Sequence, residues 1–228
     1  MADPIVWSTP TTISGDSDVL TDGTLVGAFN FGDTGIGSTT INGVAFQGLA
    51  FASGTASTVA SGNFSLHIGS GTFSAQSAAG TTNQPFSNLS SSYQSLLSSF
   101  AYTSGTAFTL TMSGLSVGHT YEFQWWSDDS QTSSSFVTGA SAVNTDSLSS
   151  NTGTSNGGLG QFGVGTFTTG TTGERIVFNG GTFNIVDAFQ LRDVTAVPEP
   201  STYALWMSVG GLGLAVCFRR KLVSARAK

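Results

Sequence analysis

The sequence predicts an all-β body, an antiparallel β-sandwich with one short helix, and three observations carry that prediction. Apolar residues in the first 195 positions recur with a period of two, as in Thr120-Tyr121-Glu122-Phe123-Gln124-Trp125, which puts alternate side chains on one face of a strand. Thirty glycines and many short Ser/Thr runs supply frequent turns. Seventeen phenylalanines in a chain that is 39% hydrophobic provide the apolar surface of a core, whereas disordered chains are poor in aromatics.

Taken in order, Leu25, Phe29 and Phe31 share one strand face. Thr39-Thr40-Ile41 and Val44-Ala45-Phe46 flank Asn42-Gly43, which supplies the two positive-φ residues of a type I′ hairpin turn. Leu89, Tyr93, Leu97 and Phe100 fall at helical spacing, with Asn88 or Ser90 as the cap. Residues 108–112 and 120–125 alternate as strands, and Ile176 and Phe178 share a face. Between them, 128–160 reads as a long mobile surface connection, with a binding loop at one end of the sandwich as the alternative, and Phe136, Val137, Val143 and Leu148 form a short strand within it. In the last strand Asp187 is expected on the same face as Phe183, Ile185, Phe189 and Leu191. A buried carboxylate needs a partner, and Arg175, backbone N–H groups, a strand bulge or Ca²⁺ are the candidates. The body ends between Val194 and Val197.

Within residues 1–195, Arg175 and Arg192 stand against ten Asp and two Glu, leaving a formal charge of −10 and no lysine. Such a surface neither neutralises phosphates nor holds to anionic lipid, which argues against nucleic acid and membrane-surface partners for the body. The single cysteine, Cys217, lies beyond the body, so the body forms no disulfide and depends on a packed core.

Local patterns that spell out chemistry are weak. Gly114-Leu115-Ser116-Val117-Gly118 has the letters of a nucleophile elbow, but that elbow must open a helix, and here a strand follows. It is read as a turn with His119 at its polar edge. His67 and His119 are the only imidazoles and have no second His or Cys nearby, so zinc-ligand spacing is absent. No catalytic residue is assigned, and the body is expected not to be an enzyme. Trp125-Trp126-Ser127-Asp128-Asp129 has the residue types of a sugar site. Trp125 is assigned to the core, and Trp126 on the opposite face joins Asp128 and Asp129 as the candidate ligand-binding set. Adjacent acids alone do not make a glycosidase, whose carboxyls stand roughly 5 to 9.5 Å apart.

Beyond the body lie Val197-Pro198-Glu199-Pro200-Ser201-Thr202, an apolar run over 203–218, and Arg219-Arg220-Lys221. As a helix the run spans roughly 24 Å, a little short of a hydrocarbon core of about 30 Å, a mismatch that thinning and snorkelling absorb. Arg219, Arg220 and Lys221 form the membrane stop and place the C-terminus in the cytoplasm. Pro198 and Pro200 keep the linker extended.

In this order the tail resembles the PEP-CTERM sorting signal of exopolysaccharide-producing Gram-negative bacteria. The resemblance implies that Val197, Pro198, Glu199 and Pro200 are the processing motif of an exosortase, a membrane-embedded cysteine transpeptidase. That partner removes the helix and passes the body to the cell surface or matrix; Glu199 is then a substrate residue. The implied plan is a secreted body at 1–195, a linker at 196–202, a transmembrane helix at 203–218 held transiently in the inner membrane, and a basic tail at 219–228. The resemblance also implies an N-terminal secretory signal. Met1-Ala2-Asp3-Pro4 has neither a basic n-region nor an apolar h-region, so a leader upstream of Met1 is expected.

The strand 183–191 is similar to the last strand of galactose-binding-like jelly rolls in carbohydrate-binding modules. That similarity implies a jelly-roll body and a structural Ca²⁺ held by Asp187 with Asp16 and Asp18. The body is also similar to a recurrent domain of PEP-CTERM proteins, through Gly15-Asp16-Ser17-Asp18-Val19, Asn42-Gly43-Val44-Ala45-Phe46, residues 114–121 and Ala188-Phe189-Gln190-Leu191-Arg192. The Leu115 to Tyr121 spacing echoes the tyrosine corner of immunoglobulin-like sandwiches. The expected function is that of an exported structural or adhesive protein associated with exopolysaccharide, with a carbohydrate-processing enzyme as the alternative.

Overall fold

Alternating burial along the chain builds two large sheets whose aromatic faces meet. The computed structural model describes residues 3–77, 82–142 and 144–196. In chain order the strands are β1 (Val6–Trp7), β2 (Thr11–Thr12), β3 (Thr24–Gly32), β4 (Thr39–Ile41), β5 (Val44–Ala50), β6 (Thr58–Ser61), β7 (Phe64–Ile68) and β8 (Ser74–Ser77). The helix α1 (Ser91–Leu97) precedes β9 (Ser99–Ser104), β10 (Phe108–Ser113), β11 (Thr120–Ser127), β12 (Val137–Ser141) and β13 (Thr145–Ser149). The chain continues through β14 (Gln161–Thr168), β15 (Gly173–Asn179), β16 (Phe183–Val186) and β17 (Ala188–Asp193).

One sheet runs β1-β14-β11-β17-β3-β5-β4, with β2 also paired to β14; a second runs β13-β12-β15-β10-β7-β6; a small third runs β16-β9-β8. Pairing is antiparallel except between β3 and β5, which run parallel. That pair departs from the purely antiparallel sandwich expected. Parallel neighbours need a crossover, and here the β4–β5 hairpin folds back to supply it.

The two large sheets share one core. Phe29, Phe123, Trp125, Phe167, Phe189 and Leu191 face Phe64, Leu66, Phe108, Leu110, Ile176 and Phe178. Phe189 lies at its centre, with ring centroids 5.4 Å from Phe29, 5.4 Å from Phe64 and 5.7 Å from both Phe31 and Phe123. A second apolar cluster lies on the other face of the first sheet, where Tyr93, Leu96 and Leu97 of α1 and Ile41, Val44 and Phe46 of the hairpin cover Trp126 and Ala188.

Local signals explain several elements. Asn42 and Gly43 take φ of 48° and 77° between β4 and β5, the left-handed region that the hairpin turn requires. Ser90 caps α1, its hydroxyl accepting the Tyr93 N–H at 3.1 Å. The helix stops before Phe100, which the spacing had included; Phe100 belongs to β9. Tyr121 closes a tyrosine corner, its hydroxyl accepting the Ser116 N–H at 2.8 Å. The segment 128–160 is not a bare connection. It contains the β12–β13 hairpin, which extends the second sheet through β15, and Asn151 ties its remainder by donating to Thr132 O and Ser155 O. Val143 lies outside the described residues.

The chain divides into two units, Met1–Thr195 and Ala196–Lys228. Among the described residues, no helix is long and apolar enough to cross a membrane. The expected transmembrane helix at 203–218 and the motif from Val197 onward lie outside the described residues.

Candidate functional site at the sheet crossover

Asp187 is the residue at which the chain leaves β16 in the small sheet and enters β17 in the large one. Its N–H donates to Trp126 O at 3.1 Å and its carbonyl accepts from the Phe31 N–H at 2.8 Å, so its backbone fastens the end of β11 to β3. The crossover shifts the strand alternation by one. Val186 joins the main core with Phe189 and Leu191, while Phe183 and Ile185 belong to a separate aromatic cluster. The expectation of one continuous face from Phe183 to Leu191 is therefore corrected: one residue spent in changing sheets reverses which parity faces the core.

The crossover brings Asp187 to Asp128 and Asp129. Asp187 Oδ2 accepts the Asp128 N–H at 2.7 Å, and its Oδ1 is buried with no hydrogen-bond partner. Asp128 accepts from the Gly160 N–H at 2.7 Å and the Ser130 N–H at 3.1 Å. Burial pushes the Asp128 carboxyl up to about 7, against those hydrogen bonds and with the Asp129 charge adding to the rise. Burial, followed by the charges of Asp128 and Asp129, holds Asp187 well above the usual carboxylate range. Asp129 is also raised by burial, and its Oδ1 is enclosed without a partner. Arg175 is exposed on β15 and forms no ion pair with Asp187. Of the partners considered for Asp187, a backbone N–H is the one that holds its carboxylate.

Trp126 is not at the surface. It is fully buried, its indole N–H donates to the Tyr93 hydroxyl at 2.9 Å, and Phe46 meets it edge-on with centroids 5.6 Å apart. Both faces of β11 are covered, so the tryptophan opposite Trp125 is enclosed as well. Asp128 too is fully buried. Of the candidate ligand-binding set, Asp129 alone borders an opening.

That opening is a groove of about 140 Å³ lined by Gln76, Phe100, Tyr102, Asp129, Phe136, Phe183 and Ile185. The small sheet explains its composition. Gln76 pairs with Phe100 and Ile185 pairs with Tyr102, and residues two apart share a face, so β8, β9 and β16 present these side chains together. Phe136 approaches from the segment before β12, 5.0 Å from Phe183 at 79°. Tyr102 lies 6.0 Å from Phe183 at 67°. Rings set this steeply to one another form walls as well as floor. Sequence reasoning missed this cluster because Phe100 had been assigned to the helix and Phe183 to the core. The period of two in Phe100-Ala101-Tyr102 was the available signal.

The acids proposed to join Asp187 around Ca²⁺ lie elsewhere. Asp18 accepts from the Ser14 N–H at 2.7 Å, the Gly15 N–H at 3.0 Å, the Ser14 hydroxyl at 2.6 Å and the Tyr93 hydroxyl at 3.3 Å. Asp16 accepts from the Ser90 hydroxyl at 2.6 Å. Their loop is clasped to the large sheet by Gln124, which donates to Asp18 O, and by Arg192, which donates to Thr21 O. Among the described residues, no group of three or more His, Cys, Asp or Glu side chains is placed to hold a metal ion. The expected calcium set of Asp16, Asp18 and Asp187 is thus not assembled, since local hydrogen bonds already occupy the oxygens of Asp18.

Residues 114–118 form the turn between β10 and β11, with Gly114 and Gly118 at φ of 70° and 82°. His119 Nδ1 lies 2.6 Å from Asp193 Oδ2. Burial opposes ionisation of Asp193, but hydrogen bonds from Thr195 and His119 hold it below its ordinary value.

Residues 196–221 match the family model of the PEP-CTERM protein-sorting motif. The motif marks the chain as an exported protein that passes through the membrane to the cell surface and is processed by an exosortase. No curated protein matches the chain. A solved structure described as "Structural basis for the promiscuous specificity of the carbohydrate-binding modules from the beta-sandwich super family" shares 11% identity with a TM-score of 0.17, over 82% of this chain and 97% of the other.

Proposed function

From a chain that carries a PEP-CTERM sorting motif, we infer a non-enzymatic surface or matrix protein of a Gram-negative bacterium that associates with exopolysaccharide in a structural or adhesive role. The observation that carries this reading is the motif at residues 196–221. In this reading 203–218 spans the inner membrane until an exosortase cuts near Pro198-Glu199-Pro200, and Arg219, Arg220 and Lys221 hold the tail in the cytoplasm. The body is read as jelly-roll-like, on the strength of its two facing sheets and a last strand set between β11 and β3.

The body's character supports delivery to a polysaccharide matrix. Its charge of −10 keeps it clear of anionic lipid and nucleic acid, and its core needs no disulfide. A carbohydrate-processing enzyme is the alternative reading. A general acid must reach the glycosidic oxygen, and Asp128 and Asp187, whose raised carboxyls would suit that work, are both fully buried. Incubation with the producer's polysaccharide tests the proposal. Retention on the polymer with no shortening of it is the expected result; shorter products would favour the enzyme, and free passage would remove the association.

A further inference from the structure

We propose that the groove on the small sheet is a subsite for an uncharged pyranose unit of a glycan, with Phe183 and Tyr102 against the sugar ring and Asp129 accepting a hydroxyl. The inference rests on the exopolysaccharide reading and deepens it by naming the site and the class of sugar. The groove measures about 140 Å³, smaller than the about 300 to 1,000 Å³ of pockets that enclose a drug-sized ligand, so it takes one ring of a longer polymer at most. Its lining is mostly aromatic with one carboxylate and one amide, the mixture that holds a ring with apolar faces and a hydroxyl rim.

Two further observations favour a sugar over other occupants. Asp129 borders the groove at 7% exposure, and its Oδ1 has no hydrogen-bond partner. A buried acceptor left unpaired is costly, and rotation of the Asp129 carboxylate toward the groove would let a ligand hydroxyl supply the missing donor. Tyr102, Phe136 and Phe183 are each only half-buried and lie side by side around the opening. The carboxylate and the surrounding negative charge repel uronate or phosphate groups, so the ligand carries no anion at this position.

The test uses the full chain in detergent with three probes: an uncharged β-glucan hexasaccharide, a hexagalacturonate and hexalysine. Titration calorimetry is run on the parent, Phe183→Leu, Tyr102→Ala and Asp129→Asn, and melting temperatures confirm that each variant is folded. Phe183→Leu keeps apolar contact while removing the ring face, so it separates ligand contact from packing. The expected result is salt-insensitive binding of the neutral hexasaccharide, at least tenfold weaker in Phe183→Leu and Asp129→Asn, with no binding of the uronate. Preference for hexalysine, lost as salt rises, overturns the sugar assignment. Unchanged affinity in folded Phe183→Leu and Asp129→Asn overturns the location. Retention on the producer's polysaccharide is measured in parallel. Retention that survives in the groove variants sinks the subsite but not the association, whereas a parent that binds the hexasaccharide yet passes the polysaccharide sinks the association but not the subsite.

Discussion

The backbone N–H of Asp128 donates to the carboxylate of Asp187 at 2.7 Å, and both aspartates are fully buried. This contact ties the end of β11 to the point where the chain changes sheets. It also places two carboxyls whose charges repel in a fully buried site.

Stability should therefore fall as pH rises. An exposed aspartate titrates near about 3.9, whereas Asp128 in the folded protein is pushed up to about 7 and Asp187 well above the usual range. Between those values the folded state binds more protons than the unfolded chain, so stability is full below about pH 4 and is lost as pH climbs through about 7. Burial raises Asp129, Asp146, Glu122 and Glu174 in the same direction. Asp193, held low, contributes in the opposite sense as pH falls. Melting temperatures are expected to be several degrees higher at pH 5 than at pH 8. Asp187→Asn should flatten that profile, because asparagine retains an acceptor for the Asp128 N–H and carries no charge. An equally steep profile in the variant would remove the crossover from the explanation.

Calcium should not substitute for those protons. Because Asp16, Asp18 and Asp187 are not assembled into one site, calcium chloride and EDTA are expected to leave the melting temperature at pH 7 unchanged. A calcium-dependent rise would show that the acids rearrange around an ion.

Tyr93 links α1 to the sheet by accepting from Trp126 and donating to Asp18. Burial, together with the nearby Asp18 charge, raises the phenol far above its ordinary range, so it stays protonated. Tyr93→Phe leaves the Trp126 indole N–H buried without an acceptor and should cost about 1–3 kcal/mol in urea denaturation. A loss near zero would mean that another group takes its place.

Phe189 touches four other phenylalanine rings between the large sheets. Phe189→Ala is expected to cost about 3–5 kcal/mol, measured by the same denaturation. A much smaller loss would mean that the sandwich collapses to fill the space.

Gly43 occupies φ of 77°, and open space surrounds the position of a Cβ there. Gly43→Ala should therefore cost only backbone strain, about 1 kcal/mol. A larger loss would place an unseen contact at the turn.

Strand periodicity, the Asn42-Gly43 turn and the Ser90 cap were legible because each depends on residues within a few positions. The two-sided burial of β11 was not, because Trp126 is covered by α1 and a hairpin about thirty and eighty residues away in sequence. Asp187 was legible as a carboxylate needing partners, yet the change of sheet it marks has no local signature. That change moved Phe183 and Ile185 out of the core and into the groove. Asp18 was misassigned because its residue type suits calcium and its own loop equally well. The sorting motif was plain because it is a linear signal.

The mass of the mature protein recovered from the producer's cell surface tests exosortase processing most directly. Cleavage at the motif predicts a species ending near Pro200 and lacking 203–228, in addition to any attached glycan. Recovery of a cytosolic protein that still ends at Lys228 would contradict it.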